Sequence, residues 1–163
     1  MRRAVFLDRD GVINRERGEH TWRLEDFEVL PTVPEALLAL QEAGLAIVVI
    51  TNQSGIGLGL YDHTDVARLH SYLRDMLSQR GVRLTDIYYC PHHPNGGACL
   101  CRKPGSLLLE RAIARHGIDP KGSVMIGDRE RDLLAAQGAG VGGILVPANA
   151  PLLPTVKDQV LNA

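Results

Sequence analysis

The sequence predicts an α/β domain built on a parallel sheet, and three observations predict it. Short apolar runs alternate with stretches of helical spacing along nearly the whole chain. Residues 45–50 (LAIVVI) form a continuous, β-branched run, the pattern of a parallel strand buried on both faces. The polar residues with chemical potential follow the ends of these runs, where open α/β sheets bind ligands.

The first strand is residues 4–7, which stop abruptly at Asp8-Arg9-Asp10-Gly11. Side chains two apart in an extended chain point the same way, so Asp8 and Asp10 can face one spot. Two close carboxylates repel unless a cation sits between them, and Mg²⁺ prefers such oxygen ligands. Gly11 lets the backbone turn away. Residues 15–28 are polar and read as a loop. Pro31 and Pro34 bracket a helix start, Val33, Leu37, Leu38 and Leu40 give its apolar spacing, and Gly44 stops it. The strand at 45–50 ends in Thr51-Asn52-Gln53-Ser54-Gly55. Asp62 or Thr64 opens a second helix that ends before Gly81, and residues 87–89 are a third strand.

A Cys/His-rich loop follows, to Pro104. Residues 107–116 form a third helix, stopped at Gly117. Residues 123–126 are a fourth strand leading into Gly127-Asp128. A short helix at 133–137 and a last strand at 143–146 complete the pattern, and the proline-bearing tail from Pro147 is expected to be peripheral. The whole is a Rossmann-like parallel sheet with helices on both faces, one domain over residues 1–163. The segment 15–44 is too short for an inserted cap domain, so the site is expected to be open.

With 163 residues the chain can bury a sizeable core. A formal net charge of -1 gives no electrostatic case for nucleic acid or a membrane surface. No apolar run is long enough to span a bilayer or resembles an export signal, so a cytoplasmic location is expected. No apolar stretch is left over for a partner subunit, and a monomer is expected. Three cysteines cannot form a fully paired disulfide set, and all lie between 90 and 101. Cys90, His92, Cys99 and Cys101 suit tetrahedral Zn²⁺, with His93 the alternative to His92. Four protein ligands leave no open position, so this zinc is structural and positions Arg102 and Lys103 next to it.

The strand-end set suits phosphoryl transfer. Asp8 can attack phosphorus, and Mg²⁺ held by Asp8, Asp128 and the neighbourhood of Asp10, with Lys103, can offset the charge. Thr51 and backbone N–H groups near Asn52 can hold non-bridging oxygens, and Asp10 can serve as general acid and base. Asp132, four residues after Asp128, reads only as a helix-start residue favoured by the dipole.

Asp8-Arg9-Asp10-Gly11, Ile50-Thr51-Asn52, Arg102-Lys103-Pro104 and Gly127-Asp128 resemble, in order, the four motifs of the haloacid dehalogenase-like (HAD) phosphatases. In finer detail, Thr51-Asn52-Gln53-Ser54-Gly55, Tyr88-Tyr89-Cys90-Pro91-His92-His93-Pro94 and Cys101-Arg102-Lys103-Pro104 are similar to the D-glycero-D-manno-heptose 1,7-bisphosphate 7-phosphatases. The resemblance implies a capless HAD-type core with a zinc-stapled loop at 90–104 and a phosphorylated sugar as substrate. It implies that Asp8 is the nucleophile and Asp10 the general acid/base, with Thr51 and Lys103 steadying the phosphoryl group. Asp8, the Asp10 carbonyl and Asp128 would hold Mg²⁺, and His92 is favoured over His93 as a Zn²⁺ ligand. Asn52, Gln53, Ser54, Arg102, Arg129, Glu16 and Glu19 are the implied substrate contacts. A role in lipopolysaccharide precursor supply is implied by the same resemblance.

The chain departs from that pattern at Glu16-Arg17-Gly18-Glu19-His20, which lacks the usual aromatic, and at a shortened Gly105-Ser106. Both departures concern the sugar rather than the phosphoryl chemistry. Histidinol-phosphate phosphatases share the motifs and a similar zinc loop. A receiver-like signalling domain would need an aspartate after the third strand, where Cys90 stands. A zinc-stapled nucleic-acid module would need a basic stripe, and none is present.

Overall fold

The computed structural model describes all residues, 1–163. Five parallel strands form one sheet: β1 (Ala4–Leu7), β2 (Ala46–Asn52), β3 (Asp86–Cys90), β4 (Val124–Gly127) and β5 (Gly142–Leu145). Their order is β3-β2-β1-β4-β5, so the chain builds outward from β1 in one direction, crosses over, and builds outward in the other. Leu7 pairs with Val49 of β2 on one side and Ile126 of β4 on the other. The carboxyl ends of β1 and β4 therefore flank the point where strand order reverses, the place such sheets offer a ligand.

Alternation along the strands divides the core in two. Val5, Leu7, Ile47 and Val49 pack with α1 (Val33–Glu42) and α2 (His63–Ser78). Ala4, Phe6, Val48 and Ile50 face the other way, onto α3 (Leu107–His116) and α4 (Glu130–Gly138). Both faces of the sheet are thus covered, which is why β1 and β2 read as unbroken apolar runs. The ends of α2 follow the sequence: Asp62 caps it, accepting from Asp65 N–H at 2.9 Å while Asp65 accepts from Asp62 N–H at 3.0 Å.

Three expectations need correction. β2 runs on through Thr51 and Asn52, because these residues pair with Tyr89 and Cys90 of β3. α4 begins at Glu130 rather than at 133, since its polar first turn faces the strand ends instead of the core. The tail is not peripheral. A short helix α5 (Leu152–Thr155) and a π-type turn over Val156–Leu161 bury Leu152 and Val156 in the same cluster as α1. The prolines misled because Pro151 precedes α5 and Pro154 lies within its first turn, where a proline is tolerated.

The tail is therefore part of the stability of the fold. Leu152→Ala should cost about 3 kcal/mol, the usual range for a fully buried leucine. Urea unfolding would measure it, and a loss below ~0.5 kcal/mol, the scale of a surface substitution, would return the tail to the periphery.

Candidate active site

The site begins where β1 stops. Asp8 Oδ1 accepts from Arg9 N–H at 2.9 Å and from Lys103 Nζ at 2.9 Å, which leaves Oδ2 for other work. Lys103 also donates to the Ile50 carbonyl at 2.7 Å and lies 2.7 Å from Asp132 Oδ1. Its side chain and that of Asp132 are fully buried. Burial alone would strip the lysine of its proton, but Asp8 and Asp132 more than offset this and hold its pKa above the ordinary value. Asp8 is pushed up to about 7, first by burial, against the pull of Lys103, with Asp132 adding its negative charge.

Asp10 sits in a second, tighter frame. Its Oδ1 accepts from Arg9 Nη2 and Asn14 Nδ2, each at 2.9 Å, and its Oδ2 accepts from Gln53 Nε2 at 3.1 Å. Burial raises the Asp10 pKa, yet the Arg9 charge and these donors outweigh it and the net direction is down. Gln53 in turn donates to Thr51 Oγ1 at 3.0 Å and accepts from the Tyr61 hydroxyl at 2.8 Å. Arg9 is itself fully buried, donating to Thr21 O at 2.7 Å and lying 3.2 Å from His70 Nε2.

A cavity of about 380 Å³ opens above these groups, with no hydrophobic residue in its wall. Asp8 and Asp10 both line it, as the alternation argument requires. Asn52, Gln53, Ser54, Arg102, Arg129, Glu16 and Glu19 line it as well. Thr51 and Lys103 do not; they stand behind the wall, Thr51 with its hydroxyl engaged by Gln53 and by Asn52 O at 3.4 Å. Sequence reasoning missed Asp132, whose i+4 spacing from Asp128 was the available signal. It also missed the buried Arg9 and six further wall residues, Gly18, His20, Thr21, His93, Pro94 and Arg131.

Two clusters have the donors for a metal ion. Oxygens of Asp8, Asp128 and Asp132 lie within 4.8 Å of one another. Asp128 Oδ1 is buried without a partner, and the Asp10 carbonyl accepts no backbone hydrogen bond. Since Asp132 is committed to Lys103, the unsatisfied oxygens fit a hard cation held by Asp8, Asp128 and the Asp10 carbonyl. Gly11 is required here for closeness as well as for its φ of +91°, since a Cβ would fall 2.3 Å from Asp128 Oδ2.

The second cluster is Cys90, His92, Cys99 and Cys101. His92 Nδ1 lies 3.3 Å from Cys90 Sγ and 3.2 Å from Cys101 Sγ, and Cys90 Sγ lies 3.7 Å from Cys99 Sγ. Cys101 Sγ lies 3.0 Å from Cys90 Sγ, so the four atoms sit somewhat closer together than the roughly 3.5–3.8 Å of tetrahedral ligands around an ion of zinc's size. His93 is turned away, its Nδ1 accepting from Asn95 N–H at 3.1 Å, so His92 is the histidine the cluster contains.

Strand-end carboxylates, a buried lysine and a polar cavity at a topological switch define a haloacid dehalogenase-like phosphatase, and comparison with known proteins agrees. A family profile described as HAD-hydrolase-like matches residues 100–151. The D-glycero-beta-D-manno-heptose-1,7-bisphosphate 7-phosphatase of Pasteurella multocida (strain Pm70) is 38% identical over 98% of this chain and 89% of its own. The D-glycero-alpha-D-manno-heptose-1,7-bisphosphate 7-phosphatase of Photorhabdus laumondii is 37% identical over 98% and 91%. A crystal structure of the D,D-heptose 1,7-bisphosphate phosphatase from B. bronchiseptica, complexed with magnesium and phosphate, superposes with a TM-score of 0.85. It is 32% identical, covering 97% of this chain and 87% of that one. The chain belongs to the family of the D-glycero-D-manno-heptose-1,7-bisphosphate 7-phosphatases.

The Arg9–His70 contact makes a pH prediction. Burial, and then the Arg9 charge, push His70 down to about 3 from 6.5. Between those values the unfolded chain binds the extra proton, so stability rises with pH there and is lost as pH falls below 6.5. Wild type should lose about 2 kcal/mol between pH 7 and pH 5 that His70→Gln does not lose. Denaturant unfolding at the two pH values would measure it; equal losses in both proteins would remove His70 as the cause.

Proposed function

We propose that the chain is a Mg²⁺-dependent phosphomonoesterase that removes the C7 phosphate of D-glycero-D-manno-heptose 1,7-bisphosphate through an aspartyl-phosphate intermediate. The observation that carries this reading is Asp8, with one oxygen fixed by Lys103 and Arg9 N–H and the other left at the cavity floor. Family membership supports the sugar.

Asp8 Oδ2 attacks phosphorus, and the bond from phosphorus to the sugar oxygen breaks. The leaving alkoxide takes a proton from Asp10. Arg9 and the donors around Asp10 hold its pKa down in the free protein, and the arriving phosphate sets further negative charge against it, which favours the protonated form that a general acid needs. Water then attacks the aspartyl-phosphate and gives its proton back to Asp10. Phosphate leaves and Asp8 is restored.

Lys103 neutralises Asp8 while it approaches an anion, and Asp132 keeps Lys103 charged. Thr51 acts as a positioning residue, holding Gln53, which holds Asp10. Asp8, Asp128 and the Asp10 carbonyl would hold Mg²⁺, which when bound offsets the charge that builds between carboxylate and phosphoryl oxygens. Asn52, Ser54, Glu16 and Glu19 offer the sugar hydroxyls donors and acceptors from the cavity wall. The reading carries with it one catalytic domain over 1–163, acting as a cytoplasmic monomer without nucleic-acid or membrane partners. A net charge of -1 offers no electrostatic attraction to nucleic acid, and no helix is long and apolar enough to cross a membrane.

The test is phosphate release from heptose 1,7-bisphosphate in both anomers, beside histidinol phosphate and fructose 1,6-bisphosphate. A heptose bisphosphate should be preferred by orders of magnitude, and Asp8→Asn should lose at least about 10⁴-fold in kcat. Preference for histidinol phosphate would move the substrate, and activity surviving in Asp8→Asn would sink the mechanism.

We infer further that the Cys90–His92–Cys99–Cys101 cluster holds structural Zn²⁺. Purified protein should carry about one zinc per chain, as a closed four-ligand site does. Cys101→Ser should lose the metal and lower both stability and activity, because Lys103 lies two residues on. Reduced, carefully prepared protein without zinc would refute this.

A further inference from the structure

Three arginines, Arg102, Arg129 and Arg131, line the cavity that holds Asp8 and Asp10. None of them forms an ion pair with a carboxylate. Arg102 Nη1 and Arg131 Nε are shut off from solvent and have no hydrogen-bond acceptor. Buried donors without acceptors are rare in folded proteins, and each one that persists asks for an explanation.

Local structure does not supply it for Arg131. This residue stands in the first turn of α4, whose N-terminus already carries partial positive charge, and a cation there is unfavourable. Its acidic neighbour Asp132 is taken by Lys103 and by Arg129 N–H at 3.1 Å. Glu130, on its other side, is exposed and unpaired with it. An arginine that weakens its own helix and leaves a buried N–H open is explained by an anion that binds it.

The reacting phosphoryl group belongs at Asp8, where a cation held by Asp8, Asp128 and the Asp10 carbonyl would offset its charge, and this leaves the arginines for a second anion. Guanidinium groups match phosphate oxygens in geometry as well as charge. Arg102 and Arg131 come from different elements, the metal-binding loop and α4, so both can contact one group. We propose that Arg131 is a substrate-binding residue which, with Arg102, clasps the phosphate that is not hydrolysed. The proposal rests on the bisphosphorylated substrate class inferred above, and it assigns the preference for a second phosphate to a residue outside the strand-end motifs.

The experiment measures KM and kcat separately for wild type, Arg131→Gln and Arg131→Lys. The substrates are heptose 1,7-bisphosphate and p-nitrophenyl phosphate, which has one phosphate only. Arg131→Gln should raise KM for the bisphosphate roughly tenfold, as loss of a charged hydrogen bond does, with kcat changed less than about twofold. Its constants on p-nitrophenyl phosphate should match wild type, and Arg131→Lys should recover part of the loss. Equal damage on both substrates, or none on the bisphosphate, overturns the proposal. A heptose bisphosphate that wild type does not prefer refutes the substrate reading instead. Arg131 is then judged by fructose 1,6-bisphosphate as an inhibitor of p-nitrophenyl phosphate turnover. Wild type should bind it more tightly than fructose 6-phosphate, and Arg131→Gln should bind the two alike; an unchanged preference in the variant overturns the proposal on its own.

Discussion

The ammonium of Lys103 is completely buried, and most of the site's geometry follows from that fact. A charge without water must be surrounded by acceptors or give up its proton. Here the acceptors come from three elements: Asp8 after β1, the Ile50 carbonyl in β2 and Asp132 in α4. Holding one cation between them fixes their relative positions. The backbone of Lys103 is pinned too, by Asn52, which accepts from its N–H at 3.0 Å and donates to its carbonyl at 3.3 Å. Cys101, a member of the metal-ligand cluster, stands two residues away. A metal held by that cluster would tie the loop at one end, as the carboxylates around Lys103 tie it at the other.

The cavity has a polarity that matches a phosphorylated ligand. Asp8 lines its floor, and an Asp128 oxygen within 4.8 Å of it adds negative charge that repels an anion until a cation lies between them. Along its wall stand guanidinium groups without carboxylate partners. Such a cavity is incomplete in both directions, needing a cation below and an anion beside it, and each makes the other easier to bind. Burial raises Asp8 toward the titration range while Arg9 holds Asp10 below it, so two aspartates one residue apart hold their protons differently. In the free protein this order is the reverse of what a nucleophile at Asp8 and an acid at Asp10 need, so the proposed roles depend on the charge that a cation and a phosphate bring.

Much of this was legible in the sequence, for physical reasons. Continuous apolar runs report strands covered on both faces, and Asp8, Thr51 and Asp128 announce themselves by ending such runs. The clustered cysteines are legible as candidate metal ligands because cysteine is otherwise absent from the chain. What stayed hidden depends on long-range packing. Asp132 looks like any acidic residue in a first helical turn, and only the arrival of Lys103 from a distant loop makes it a buried counter-ion. Arg9 lies between two conspicuous aspartates, yet nothing local says that its guanidinium is enclosed by Thr21, His70 and Phe27. Periodicity failed at α4 because its first turn serves the site, so the pattern that marks a core-facing helix begins only after it.

The tail shows how such hidden contacts reach the substrate. Asn149 N–H donates to the Gly11 carbonyl at 2.8 Å, next to the motif that carries Asp10. Its side chain accepts from Glu16 N–H at 2.7 Å and donates to the Glu16 carbonyl at 3.1 Å. Glu16 begins the run of cavity-wall residues that includes Glu19 and His20. With no cap domain inserted after β1, this short loop is the part of the wall that can vary without disturbing the strand ends. It is held by its own contacts, Gly18 N–H donating to Glu16 Oε1 at 2.8 Å, and also by Asn149, which Leu152 and Val156 in turn anchor to the core. The tail thus fixes one stretch of the cavity wall from more than 130 residues along the chain, while Lys103 fixes Asp8 at the floor independently of it.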